Sequence, residues 1–139
     1  MKKIPKSVLV IVYTKDKKIL LLKKNNKKEM WQSITGSLLE GENPLEAAKR
    51  ELYEETGLIS NNLIDCNKSY VFEIYDFWKY KYNEGVIYNT EYLFMLKLDD
   101  IIDITLDKSE HISYEWFSRV KAAEKVFSHT NRIAIFEFV

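Results

Sequence analysis

Glu51, Glu54 and Glu55 are spaced i, i+3, i+4. In a helix that spacing gathers three carboxylates on an arc of about 100°. Left unpaired, such a cluster repels itself and weakens the helix that carries it. A hard divalent cation resolves the conflict, because Mg²⁺ and Mn²⁺ prefer carboxylate oxygen and leave positions for water and phosphate. The preceding loop, Gly36-Ser-Leu-Leu-Glu40-Gly41-Glu42, offers backbone carbonyls that could join the coordination. The alternative for any glutamate-rich helix is a solvated acidic face without chemistry.

The helix that must position these acids is well bounded. Asn43 is a suitable N-cap, Pro44 suits the first helical position, Glu46 completes a capping-box pattern and Gly57 suits the C-terminal stop. The spacing predicts a helix over Pro44–Thr56, with Leu45, Ala48 and Leu52 as its packing stripe. Ser7–Tyr13 and Lys18–Lys23 are apolar runs around a polar turn and read as a strand hairpin. Met30–Thr35 reads as a short strand ending at Gly36. Further strands are predicted near Cys66–Tyr75, Tyr88–Leu96 and Ser113–Phe117, and helices at Arg119–Phe127 and Asn131–Phe138. Irregular alternation of strands and helices favours a mixed α/β layered domain, with residues 1–139 as one unit.

The window Gly36–Leu58 satisfies a longer pattern, G-x5-E-x7-R-E-U-x-E-E-x-G-U, where U is a bulky aliphatic residue. Gly36, Glu42, Arg50, Glu51, Leu52, Glu54, Glu55, Gly57 and Leu58 all match without insertion or deletion. At average residue usage such a match arises by chance with a probability of roughly 10⁻⁷. The window resembles the box of the Nudix hydrolases. That resemblance implies an α/β/α sandwich with a mixed β-sheet and a loop–helix–loop box. It also implies hydrolysis of a nucleoside diphosphate, or something similar, linked to another group. By the same resemblance Glu51, Glu54 and Glu55 hold Mg²⁺ (with Mn²⁺ as a substitute), with the Gly36 carbonyl as an additional ligand. Arg50 orients the glutamates by ion pairing and Glu42 supports the box.

Outside the box, Trp31–Ser37, Ile64–Asn67, Phe72–Ile74, Asn89–Glu91, Ser109–His111, Tyr114–Trp116 and Ser128–Arg132 resemble one branch of that family. Its members remove pyrophosphate from dihydroneopterin triphosphate, a folate precursor. This implies that Glu110 completes the metal site and serves as general base. It implies that Lys3 and Lys24 hold substrate phosphates, Lys24 standing where the family normally has Arg. Thr35 and Ser128 become polar contacts to substrate. His111 and His129 are not needed as ligands and are expected at the surface or at caps. Among Phe72, Tyr75, Phe77, Trp78, Tyr80 and Tyr82, one ring could stack on a flat base, the others being core.

Composition narrows the partners. The 139 residues are 46% hydrophobic and 30% charged, with 21 basic against 21 acidic side chains. Zero net charge argues against bulk nucleic-acid or membrane adhesion. The charge is nonetheless segregated: Met1–Lys28 holds ten lysines and one acid, whereas Glu40–Glu55 holds six glutamates. The lone Cys66 excludes an internal disulfide and reads as a small core residue. Without a signal-peptide pattern or an apolar membrane-length run, the expected compartment is the cytoplasm and the expected partner a small-molecule triphosphate. Two other readings stay open. One is a Nudix enzyme acting on nucleoside triphosphates or dinucleoside polyphosphates; the other is a non-catalytic nucleotide-sensing module. Oligomeric state is left open.

Overall fold

The computed structural model describes residues 1–26 and 28–139. The hairpin forms as expected: β1 (Lys6–Thr14) and β2 (Lys18–Lys24) meet at Tyr13↔Ile19. Their turn is closed by Lys17 N–H donating to the Thr14 carbonyl at 2.9 Å. From that turn β1 and β2 diverge. β1 runs parallel to β6 (Tyr88–Leu98) from Lys6↔Thr90 to Thr14↔Leu98, and β6 carries the antiparallel strand β5 (Ile64–Glu73) on its outer side. β2 pairs with β7 (His111–Ser118).

The strand expected at Met30–Thr35 is two strands. β3 (Trp31–Gln32) pairs with β2, whereas β4 (Ile34–Ser37) crosses to the first half of β1. Ser33 is the break: its N–H donates to Asn131 Oδ1 at 2.9 Å and its hydroxyl accepts from Asn131 Nδ2 at 3.0 Å. A side chain from the last helix thus replaces a sheet partner at the point where the strands splay.

Alternation along β1 feeds two cores. Val8, Val10 and Val12 pack with Leu52, Ala47 and Ala48 of α1 (Pro44–Thr56) on one face. Leu9 and Ile11 pack with residues of α2 (Arg119–Lys125) and α3 (His129–Phe138) on the other, including Ala122 and Ile135. A mixed sheet between helical layers is therefore the α/β/α sandwich expected, with the loop–helix–loop box on one side.

α1 keeps its predicted bounds. Asn43 Oδ1 accepts from Glu46 N–H at 2.9 Å, Glu46 Oε1 accepts from Asn43 N–H at 3.2 Å, and Gly57 takes the left-handed conformation at φ 76°. Its buried stripe differs from the expected one. Ala47, Ala48, Leu52, Glu55 and Thr56 face inward, while Leu45 is 41% exposed and borders an open cleft beside the β5 bulge. The two alanines turn the helix so that Glu55 faces the sheet.

α2 stops earlier than predicted, because Val126 is extended and Phe127 N–H donates to the Trp31 carbonyl at 2.9 Å. α3 starts two residues early, capped by Ser128. A short 3-10 helix, Asp76–Lys81, was not anticipated; its aromatic sequence has no apolar period. Cys66 is only partly buried, packed against the α2–α3 core.

Candidate active site

Arg50 is the hub of the box. Its Nε and Nη2 donate to Glu42 Oε2 and Oε1 at 2.8 and 2.9 Å, a two-pronged pairing. Nη2 also donates to the Ser37 carbonyl at 3.0 Å, while Nη1 donates to Glu51 Oε1 at 2.8 Å and Glu54 Oε2 at 3.1 Å. One guanidinium therefore ties the preceding loop to the helix and fixes two of the three helix carboxylates. Glu42 also accepts from Leu39 N–H at 2.9 Å, and the hydrogen bond from Arg50 holds its carboxyl below the usual range.

Glu51 and Glu55 are the inward pair. Burial pushes the Glu51 carboxyl up against the opposing pull of Arg50, with Glu54 adding repulsion. Burial, then the charge of Glu51, pushes Glu55 well above the carboxylate range. Glu54 lies half exposed at the rim. Gly36 abuts this pair. A β-carbon there would meet the Glu51 carboxylate and push it aside, so glycine leaves that carboxylate its place. Glu55 is held by Thr35 N–H, donating to Oε2 at 3.2 Å, and faces His111 Nδ1 across 3.7 Å.

His111 corrects the expectation of a surface or capping histidine: it is 1% exposed. Burial, then Lys24, pushes its pKa down to about 4, so the ring is neutral at neutral pH. Its contact with Glu55 is consequently a polar contact between groups that both resist ionisation, not an ion pair. Gln32 Nε2 lies 3.5 Å from His111 Nε2. With that nitrogen accepting, Nδ1 carries the proton toward Glu55. His129 is exposed, as expected.

No three His, Cys, Asp or Glu side chains among the described residues converge closely enough to share one ion as they stand. The donor set nonetheless suits a hard cation. A buried carboxylate, Glu55, and a partly buried one, Glu51, are both raised by burial and by a neighbouring acid, Glu51 lies against Gly36, and carboxylate and carbonyl oxygens are the donors such an ion prefers.

Lysines lie in the field of these acids. Lys3 lies in the field of Lys24, Glu51, Glu110 and Glu55, and burial and Lys24 push its ammonium down. The sequence reading missed a third member. Lys81, at the end of the 3-10 helix, is lowered by burial, Lys3 and Lys24, and Lys3 N–H donates to its carbonyl at 2.8 Å. Nothing in its aromatic, aperiodic stretch marks it in sequence. Glu110 sits exposed in the turn before β7, where its carbonyl accepts from Asn25 N–H at 2.9 Å beside Lys24. Lys3, Lys24, Glu51, Glu55 and Glu110 thus lie within electrostatic reach of one another, without the three acids converging on one point.

Thr35 and Ser128 are engaged in the fold. Thr35 Oγ1 donates to the Val8 carbonyl at 2.9 Å, so its backbone N–H is the group aimed at the site. Ser128 caps α3 and shares a 2.9 Å hydrogen bond with Thr130. The aromatic stretch corrects the expectation that all its rings but one are core: none of the six is buried, and Tyr75 and Phe77 stack at 5.6 Å with Trp78 and Phe127 packed around them. Lys28 and Lys81 lie over Phe77 and Trp78 at 5.0 and 5.4 Å.

A family model described as the NUDIX domain matches residues 3–137. The chain belongs to the Nudix family. Nudix hydrolases in general need divalent metal ions. The chain is 39% identical over 140 residues to dihydroneopterin triphosphate diphosphatase of Escherichia coli K12, covering 97% of this chain and 92% of the relative. It is 38% identical over 138 residues to the Haemophilus influenzae enzyme of the same name, covering 96% and 86%. The solved structure of the E. coli dihydroneopterin triphosphate pyrophosphohydrolase superposes with a TM-score of 0.94 at 38% identity, covering 100% of this chain and 97% of that one. This Nudix fold has no helix among the described residues long and apolar enough to cross a membrane.

Proposed function

We propose that this Nudix hydrolase releases pyrophosphate from dihydroneopterin triphosphate, leaving dihydroneopterin monophosphate. What carries the substrate is the near full-length similarity to the E. coli diphosphatase, which includes the fragments outside the box. The chemistry rests on Lys3 and Lys24 lying in the field of Glu55, Glu51 and Glu110, with Lys81 beside the two lysines and Glu110. Residues 1–139 act as one hydrolase domain, in the cytoplasm, on a small molecule and not on nucleic acid or membrane.

Glu51, Glu54, Glu55, Glu110 and the Gly36 carbonyl hold Mg²⁺, which Mn²⁺ can replace. Such an ion offsets phosphate charge and lowers the pKa of water. The three lysines bind the triphosphate as point charges, and Arg50 holds Glu51 and Glu54 in place. Glu110 positions the attacking water and accepts its proton. A bond forms between water oxygen and the α-phosphorus, and the bond to the β-bridging oxygen breaks, so that the electron pair leaves with pyrophosphate. Thr35 and Ser128 line the substrate side.

Nucleoside triphosphates and dinucleoside polyphosphates would undergo the same chemistry. Hydrolysis of dihydroneopterin triphosphate beside dATP, GTP and a dinucleoside tetraphosphate, followed by ³¹P NMR with Mg²⁺, separates the readings. The expected result is a kcat/KM preference for the pterin with pyrophosphate as product. Equal or better turnover of a nucleotide discards the pterin, and no turnover of any of them supports a sensor.

A further inference from the structure

A polar row on the sheet face opposite α1 takes no part in the phosphate chemistry. Ser7 of β1 is opposite Glu91 of β6 in the parallel ladder, and Asn89 lies two residues before Glu91, so all three side chains share the α3 face. Phe72 and Tyr70 of β5 pair with Asn89 and Glu91 and project to the same side. Asn89 is 2% exposed and Glu91 5% exposed. Asn89 Nδ2 donates to Ser7 Oγ at 2.8 Å, and Thr130 Oγ1 donates to Glu91 Oε1 at 2.7 Å.

These partners leave the row short of donors. Asn89 Oδ1 is buried without a hydrogen bond, and Glu91 receives none besides that from Thr130 among the described residues. Among the described residues no cation offsets the carboxylate, whose pKa burial pushes up to about 7. A buried acceptor without a donor destabilises a fold, and a buried carboxylate without a cation does so more. Leucine or valine would fill these strand positions without that cost.

We propose that Asn89 and Glu91 read the base of the substrate, accepting from the ring N–H and exocyclic amine of a 2-amino-4-oxopyrimidine edge. That edge, common to pterins and guanine, presents adjacent donors in one plane. Adenine offers a single amine beside a ring nitrogen that is itself an acceptor, and an acceptor facing a carboxylate oxygen is repelled. The inference rests on the proposed phosphate chemistry and adds what selects the group carrying the phosphates.

The row is joined to the rest of the site at both ends. Thr130 hydrogen-bonds Ser128, which follows Phe127 of the aromatic cluster. Tyr82, near Ser37 of the box loop, lies in the field of Glu91. In the ligand-free chain Asn89 Oδ1 is shut from water, so the base enters by displacing a covering side chain.

The test is kcat/KM for dihydroneopterin triphosphate, GTP and ATP, with Mg²⁺, in the wild type, Glu91→Gln and Asn89→Ala, with near-ultraviolet circular dichroism to check folding. The wild type is expected to prefer GTP over ATP. In each variant the GTP:ATP ratio falls roughly 10–100-fold, mainly through KM, with ATP as the internal reference. Folded variants that keep the wild-type ratio overturn the inference, as does a wild type without preference for GTP or the pterin over ATP. If only one variant folds, that one is decisive; failure of both to fold assigns the pair to the core and also overturns it. A chain that prefers GTP but leaves the pterin untouched, and loses that preference in Glu91→Gln, keeps the inference and discards the pterin as substrate.

Discussion

The two faces of the sheet treat buried charge in opposite ways. Beneath α1, acids are crowded but organised: Arg50 reaches Glu42, Glu51 and Glu54, and backbone N–H groups support Glu42 and Glu55. Beneath α3, among the described residues, Glu91 has one hydroxyl partner and no cation, and Asn89 keeps an acceptor unfilled. The first face is a charge cluster shaped for ions and phosphate. The second has the acceptors a neutral heterocycle with N–H groups can fill. On the proposed reading, each face has polar groups whose cost falls when its own part of one substrate arrives, which would divide rate from selectivity across β1.

The sharpest way to break this division is to neutralise the box. Glu55→Gln and Glu54→Gln are expected to lower kcat on the order of 10²-fold or more, with the fold intact. The two variants should differ in stability. With a chelator present, Glu55→Gln should melt above the wild type, because it removes a buried carboxylate raised by desolvation and by Glu51. Glu54 is half exposed and paired to Arg50, so Glu54→Gln should leave the melting temperature nearly unmoved. Unchanged turnover in both at saturating Mg²⁺ would end the metal assignment.

The same division explains what the sequence could disclose. α1 was legible to the residue because its signals are local: Asn43, Pro44, Glu46 and Gly57 act within one turn of themselves. The rotation that buries Glu55 and exposes Leu45 was not, because it depends on how closely Ala47 and Ala48 approach the sheet. The split at Ser33 likewise depends on Asn131, 98 residues away. In the site, Glu51, Glu54, Glu55 and Arg50 were marked by spacing. Lys81, His111 and Glu91 were not, since each gains its environment only when β6, β7 and the 3-10 helix come together.

A milder perturbation probes the α3 face by pH. Glu91 has its pKa raised from 4.5 to about 7, so the folded chain binds more protons than the unfolded one between those values. Its contribution is fully present below the unfolded pKa and is lost as pH rises through the folded one, up to about 3 kcal/mol in total. Tyr70 and Tyr82 face it with pKa values raised, Tyr70 to about 12, and stay neutral throughout; Glu137 acts on Tyr70 from α3. The wild type should therefore lose stability relative to Glu91→Gln between roughly pH 5 and 8 in paired denaturant titrations. Parallel curves would mean that Glu91 is better solvated or better paired than its burial indicates.

The smallest effects come from the helix caps, one on each face. Asn43 and Glu46 hydrogen-bond each other's backbone, and Asn43→Ala should cost about 1 kcal/mol of stability, seen in denaturant midpoints. Asn43 lies at the far end of α1 from Glu51 and Glu55, so KM for GTP should not move with that loss. Ser128 makes a longer cap bond, 3.4 Å to Asn131 N–H, so Ser128→Ala should cost less stability. Its hydroxyl also meets Thr130, which holds Glu91, so the same variant should raise KM for GTP a few-fold, on the order of a single neutral hydrogen bond. Two cap losses with opposite orders in stability and in KM would separate the faces by function. If Asn43→Ala moved KM as far as Ser128→Ala, stability alone would account for both, and the division between the faces would fail.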